Sequence, residues 1–138
     1  MSKQRILLVD DETGITTMTK LNLEKTGLYE VLVENRSTHA FGAAKAFDPD
    51  LILLDMTMPD MDGVDVAAQI KADDKLQYIP IVFLTAMVSR FETGDNELAR
   101  GGQVFLSKPV SQKALRACIE QHARQQPDPV TTGKVPLS

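Results

Sequence analysis

Several short apolar runs in this sequence end in residues that carry charge or donate hydrogen bonds. Ile6-Leu7-Leu8-Val9 is followed by Asp10-Asp11, and Leu51-Ile52-Leu53-Leu54 by Asp55. Ile81-Val82-Phe83-Leu84 leads into Thr85, Val104-Phe105-Leu106 into Ser107-Lys108-Pro109, and Val31-Leu32-Val33 into Glu34-Asn35. Taken singly, each has an ordinary explanation. Asp11 or Glu12 could cap a helix beginning near Thr13, Thr85 could serve a turn, and Lys108 could be a solvated lysine. Taken together they are complementary. Three carboxylates on one rim repel, which raises at least one pKa unless a cation intervenes. The pattern contains no His or Cys, so its ligands are all oxygen, a set that suits a hard divalent ion such as Mg²⁺. Lys108 cannot ligate a metal, but its ammonium can neutralise a phosphoryl oxygen, and Thr85 can donate to another. A carboxylate nucleophile, a metal, a cation and a hydroxyl donor make up a phosphoryl-transfer site with an aspartyl-phosphate product. Residue types alone leave the nucleophile open among Asp10, Asp11 and Asp55.

These groups meet only if their runs are strands of one sheet pointing the same way. Most of the runs are continuous rather than alternating, as strands buried on both faces require. The segments between them carry helical spacing. Ala40, Ala43, Ala44 and Phe47 repeat at helical intervals, with Ser37 or Thr38 as the expected N-cap. Leu115, Cys118, Ile119 and His122 do so after Ser111, Ile15 and Met18 begin another stripe that Gly27 would end, and Val66, Ala67 and Ile70 form a weaker one. Strands alternating with helices predict an α/β, doubly wound parallel sheet with right-handed crossovers, and ligands bind beyond the carboxyl ends of such strands. Five strands and five helices fit into one domain over residues 1–125. Residues 126–138 hold three prolines and no periodicity, and read as a disordered tail or the start of a linker.

Composition excludes other classes. The chain has 138 residues, 43% hydrophobic and 25% charged, in keeping with one soluble domain. A net charge of −4 does not favour direct nucleic-acid binding. The single cysteine, Cys118, excludes an internal disulfide and a Cys-based zinc site, and is expected in the core. No apolar run approaches the roughly 18 residues of a membrane span, and the N-terminus lacks a signal-peptide core, so a cytoplasmic protein is expected. His39 and His122 stand isolated and read as surface residues. Met56, Met58 and Met61 flank Pro59 and are expected to pack the loop after Asp55.

At the residues already singled out, the chain resembles the receiver domain of two-component response regulators, of the single-domain, chemotaxis-regulator-like kind. The resemblance runs from Arg5 to about Arg124. Its motifs are the acidic pair in Ile6-Leu7-Leu8-Val9-Asp10-Asp11-Glu12, and the segment from Asp50 through Asp55, Pro59 and Gly63. Leu84-Thr85-Ala86 and Leu106-Ser107-Lys108-Pro109 complete them. The resemblance implies a flavodoxin-like sheet of five parallel strands in the order 2-1-3-4-5, with five helices. It implies that Asp55 accepts phosphate, in a Mg²⁺-dependent reaction, from a histidine kinase or a histidine phosphotransfer protein. Asp10 and Asp11 would hold Mg²⁺ with Asp55 and the backbone carbonyl of Thr57. Thr85 would be the switch hydroxyl, Lys108 the phosphate-binding lysine with a cis bond to Pro109, and Phe105 the aromatic that turns inward. Such a domain is a switch rather than an enzyme, although it assists its own phosphoryl transfer and loss. It would signal to a downstream protein target through the fourth helix, fifth strand and fifth helix, about residues 89–125.

Two departures stand out. The stretch between Thr85 and Lys108 is about one residue longer than usual, with Gly94-Asp95 inside the expected fourth helix, and Phe105 lacks the hydroxyl of a tyrosine switch. The rival readings are a haloacid-dehalogenase-type phosphohydrolase and a non-phosphorylated binding module of the same fold. The first would want a second acid where Thr57 stands and a cap domain. The second should have lost part of the motif set.

Overall fold

Strands that are apolar on both faces need cover on both sides, and that requirement organises the molecule. The computed structural model describes residues 3–86, 97–100 and 103–125, with the backbone alone at 97–100. In chain order its elements are β1 (Gln4–Val9), α1 (Thr13–Glu24), β2 (Tyr29–Glu34), a 3₁₀ turn (Ser37–His39) and α2 (Ala40–Phe47). There follow β3 (Leu51–Asp55), α3 (Gly63–Lys71), β4 (Ile81–Thr85), β5 (Glu97–Arg100), β6 (Gln103–Ser107) and α4 (Gln112–His122). The parallel strands stand in the order β2-β1-β3-β4-β6, which is the expected 2-1-3-4-5 arrangement. β3 and β4 are buried along their whole length. Successive residues of β1 and β3 face opposite sides. Ile6, Leu8 and Leu53 pack with Leu23 of α1 and Leu115, Cys118 and Ile119 of α4. Leu7, Val9, Ile52 and Leu54 pack with Ala40 and Ala44 of α2 and Val66 and Ile70 of α3. Cys118 is therefore a core residue, as its place on the stripe of α4 predicts.

Two expectations need correction. Glu97–Arg100, predicted to lie in a fourth helix, forms a strand antiparallel to β6, so the sheet has six strands. Four α-helices lie among the described residues. Arg100 pairs with Gln103 at one end of this ladder, and Glu97 with Leu106 at the other. The earlier part of that helix, with Gly94-Asp95 and the start of the expected partner face, lies outside the described residues, as does the tail. Ser37 is the second correction: its hydroxyl does not cap α2 but donates to the Pro59 carbonyl at 2.9 Å, tying the start of α2 to the loop after β3. Gly27 does adopt the left-handed conformation expected after α1, at φ 80°. Ser111 caps α4, its Oγ accepting from the Ala114 N–H at 3.0 Å.

The far end of the sheet carries its own clamp. Asp50 is fully buried, and its Oδ2 accepts the N–H of Arg5 at 2.9 Å. The Arg124 N–H is donated to the Asp50 carbonyl at 2.8 Å. The Arg124 guanidinium reaches Asp50 Oδ1, Asp48 Oδ1 and the Pro49 carbonyl. The last helix is thereby tied to the entrance of β1 and β3, opposite the rim where the charged residues gather.

Candidate functional site

Parallel register decides which side chains meet. Val9 lies beside Leu54, Asp55 beside Leu84, and Thr85 beside Ser107, so β1, β3, β4 and β6 end at the same level. Two backbone hydrogen bonds extend that alignment past the strands. Met56 N–H is donated to the Leu84 carbonyl at 3.0 Å, and Lys108 N–H to the Thr85 carbonyl at 2.8 Å. The loop after β3 turns back at Gly63, whose N–H is donated to the Met56 carbonyl at 2.9 Å. A β-carbon at Gly63 would collide with the Asp55 carbonyl oxygen, so only glycine permits this approach. Met58 is buried, and Met56 and Met61 pack against the same cluster, as expected for that loop.

The rim brings Asp10, Asp11 and Asp55 together, with one carboxylate oxygen from each lying within 4.8 Å of the others. Asp10 and Asp55 are buried and Asp11 is exposed. Lys108 Nζ lies 3.0 Å from Asp10 Oδ2, 3.1 Å from Glu12 Oε1 and 3.4 Å from Asp55 Oδ1. Thr85 is 4% exposed at the end of β4. The Thr57 N–H is donated to Asp55 Oδ1 at 3.4 Å, a long contact. Phe105 stacks on Phe83, with ring centroids 5.5 Å apart and planes inclined at 25°, on the side of the sheet that α2 and α3 cover. The Lys108–Pro109 bond is cis.

Charge and burial act against each other here. Burial, and then repulsion from Asp10, push the Asp55 carboxyl up to about 6, although Lys108 and the Thr57 N–H oppose the shift. Burial alone would lower Lys108. Its contacts with Asp10 and Glu12, and the field of Asp55, outweigh that and raise it. An apolar cavity of about 430 Å³ adjoins the rim, walled by Leu8, Leu53, Leu84, Ile15 and Leu115. Asp10 Oδ2 is buried and, although near the ammonium, has no hydrogen bond aligned on it. Three carboxylates converging on one rim, two of them buried, fit a hard divalent cation.

Two partners of the site escape the sequence reading. Glu12 occupies the N-cap position of α1 without a side-chain capping bond, and reaches Lys108 instead. The ordinary alternative, a side-chain cap on α1, is not made at its N-cap Glu12; Asp10 Oδ1 accepts the Glu12 N–H at 3.0 Å. Asn35 Nδ2 donates to the Asp10 carbonyl at 2.7 Å and to Thr16 Oγ1 at 3.1 Å, bracing the acidic loop from β2. The only signal for either was a polar residue at a strand end. His39 is largely exposed, 3.9 Å from Glu34.

Comparison with known proteins agrees with this geometry. Residues 6–120 match the family described as "Response regulator receiver domain". The chain is 34% identical over 122 residues to the alkaline phosphatase synthesis transcriptional regulatory protein PhoP of Bacillus subtilis, covering 88% of this chain and 49% of that protein. It is 33% identical over 113 residues to the polar-differentiation response regulator DivK of Brucella anthropi, covering 80% of this chain and 88% of that one. The chain thus spans about half the length of several curated relatives and most of the length of another. Among solved structures, the receiver domain of the sensor histidine kinase PA1611 from Pseudomonas aeruginosa, with magnesium in its active-site cleft, superposes with a TM-score of 0.72 at 28% identity. That match covers 88% of this chain and 98% of the other. The chemotaxis protein CheY4 of Vibrio cholerae shares the fold, with a TM-score of 0.73 at 24% identity over 88% of this chain and 99% of that one.

Proposed function

Since this chain belongs to the family of response regulator receiver domains, we propose that Asp55 is its phosphoryl acceptor, with Lys108 and Thr85 as the groups that receive the phosphoryl oxygens. The observation that carries this is the burial of Asp55 at the end of a central strand, 3.4 Å from the Lys108 ammonium and within the carboxylate cluster. A carboxylate oxygen of Asp55 attacks phosphorus, and the bond from phosphorus to the donor's imidazole nitrogen breaks. The electron pair stays on that nitrogen, which takes up a proton. Lys108 offsets charge on the transferred group, and the Thr57 N–H keeps Asp55 oriented. Mg²⁺, when bound by Asp10, Asp11, Asp55 and the Thr57 carbonyl, supplies positive charge against repulsion between the site and the incoming oxygens.

The proposed donors are a histidine kinase or a histidine phosphotransfer protein, and the proposed setting is the cytoplasm. The proposed domain spans residues 1–125, with 126–138 as tail or linker, and the proposed face for a downstream protein is about residues 89–125. No helix among the described residues is long and apolar enough to cross a membrane. Direct nucleic-acid contact is not proposed for a domain of net charge −4. The dehalogenase alternative has no support among the relatives, and a degenerate binding module would not keep the full set of polar strand ends.

Incubation with acetyl phosphate and Mg²⁺, followed by peptide mapping by mass, tests the assignment. A phosphoryl mass on the peptide holding Asp55, lost in Asp55→Asn, is expected. Labelling at Asp10 or Asp11, or persistent labelling of the Asn variant without deamidation, would overturn it.

A further inference from the structure

Glu12 is the acidic residue whose position neither the helix nor the carboxylate cluster explains. It stands at the N-cap of α1 with no capping bond from its side chain. Its backbone is held on both sides. The N–H is donated to Asp10 Oδ1 at 3.0 Å, and the carbonyl accepts the Thr16 N–H at 3.1 Å. From that base the carboxylate reaches a residue 96 positions away, where Lys108 Nζ donates to Glu12 Oε1 at 3.1 Å.

Lys108 therefore faces three carboxylates that differ in what release would cost. The side chains of Asp10 and Asp55 are 1% and 7% exposed, whereas that of Glu12 is 54% exposed. A buried carboxylate separated from its cation has little water to replace it, while Glu12 can rehydrate. An ammonium has three protons to donate. A phosphoryl group on Asp55 brings further anionic oxygens to the same ammonium, so an existing partner must yield. Glu12 yields at least cost.

We propose that Glu12 is a positioning residue. It holds Lys108 at the mouth of the site in the unphosphorylated protein and competes with phosphoryl oxygens for the ammonium. It thereby sets how readily the site takes and keeps a phosphoryl group. The inference rests on Asp55 being the acceptor.

The test is the affinity of the full chain for beryllofluoride, a phosphoryl mimic, at saturating Mg²⁺, compared with Glu12→Gln. Loss of a partly exposed competing ion pair corresponds to about two- to fivefold tighter binding in the variant. With acetyl phosphate, the change should fall on the half-saturating concentration more than on the limiting rate. Asp60→Asn is the charge control. It removes one negative charge from the loop after β3, at a residue with φ 73° where Asn is tolerated, and should bring no comparable gain. Equal affinity in wild type and Glu12→Gln, or the same gain in Asp60→Asn, would overturn the proposal. Exchange of the Lys108 Nζ protons, followed by NMR without phosphate or mimic, reads the hold directly. It should be faster in Glu12→Gln, and unchanged exchange also overturns the proposal. A wild-type protein that binds no beryllofluoride would instead count against Asp55 as acceptor, and the Nζ comparison would still decide the role of Glu12.

Discussion

Asp55 must be charged to act as a nucleophile, yet its surroundings oppose the charge. Its carboxyl is pushed up from 3.8 to about 6, by burial first and Asp10 second. A carboxyl that holds its proton more tightly when folded stabilises the fold at low pH. That contribution is complete below about 3.8 and fades as pH rises through about 6. At pH 7, without metal, the charged form is a liability that an uncharged isostere would remove. Asp55→Asn is therefore expected to unfold later than wild type at pH 7, by about 1–2 kcal/mol after allowance for solvent screening. The advantage should shrink toward zero near pH 4, and Mg²⁺ should reduce it at pH 7 by stabilising wild type alone. Thermal unfolding across that pH range checks both points. A variant less stable than wild type at pH 7 would show that the Asp55 charge is well compensated without metal.

At the scale of elements, β4 and β6 form the seam between the site and the expected partner face. Thr85 and Ser107 lie side by side at its end, and Phe83 and Phe105 stack two residues earlier. A shift of Thr85 toward a phosphoryl oxygen would disturb that stack, so Thr85→Ala should accept phosphate yet lose much of the response in β6. Hydrogen exchange of Gln103–Ser107, compared with and without beryllofluoride, measures the loss; an unaltered response would place the coupling elsewhere. The opposite end of the sheet is built for rigidity. Arg124 joins α4 to a fully buried Asp50, and removing a cation from a buried carboxylate is expensive. Arg124→Ala should cost about 1–3 kcal/mol in urea unfolding and leave phosphoryl labelling of Asp55 intact. Reduced labelling at full stability would mean that the two ends of the sheet communicate.

Across the whole molecule, folding brings three carboxylates together against the single ammonium of Lys108, an imbalance that a bound cation would offset. Asp10, Asp11 and Asp55 come from two strand ends some 45 residues apart, and their repulsion is far weaker in the unfolded chain. A cation that binds only the assembled cluster stabilises the fold by mass action. Mg²⁺ at a hundred times its dissociation constant should add about 2.7 kcal/mol, and excess chelator should remove it. Asp10→Asn should abolish most of this gain while keeping the shape of the buried side chain. Melting curves at rising Mg²⁺ check it, and a melting temperature independent of Mg²⁺ would count against the cluster as a metal site.

Much of this arrangement was legible in local sequence. Continuous apolar runs separated by helical stripes demand a parallel sheet covered on both faces. Parallel strands necessarily place their carboxyl ends on one rim, so Asp10, Asp55, Thr85 and Lys108 had to meet. Gly27 and the core position of Cys118 followed from the same periodicity. The tertiary structure alone decided the rest. Lys108 takes Glu12 as a third carboxylate, Ser37 ties down Pro59 instead of capping its helix, and Arg124 closes on Asp50. Where helix was expected, the strand Glu97–Arg100 pairs with β6 at the end of the sheet. Periodicity reports which face of an element is buried. A side chain's choice among several polar partners depends on distances of a few ångströms between residues far apart in the chain, and those are set only when the elements pack.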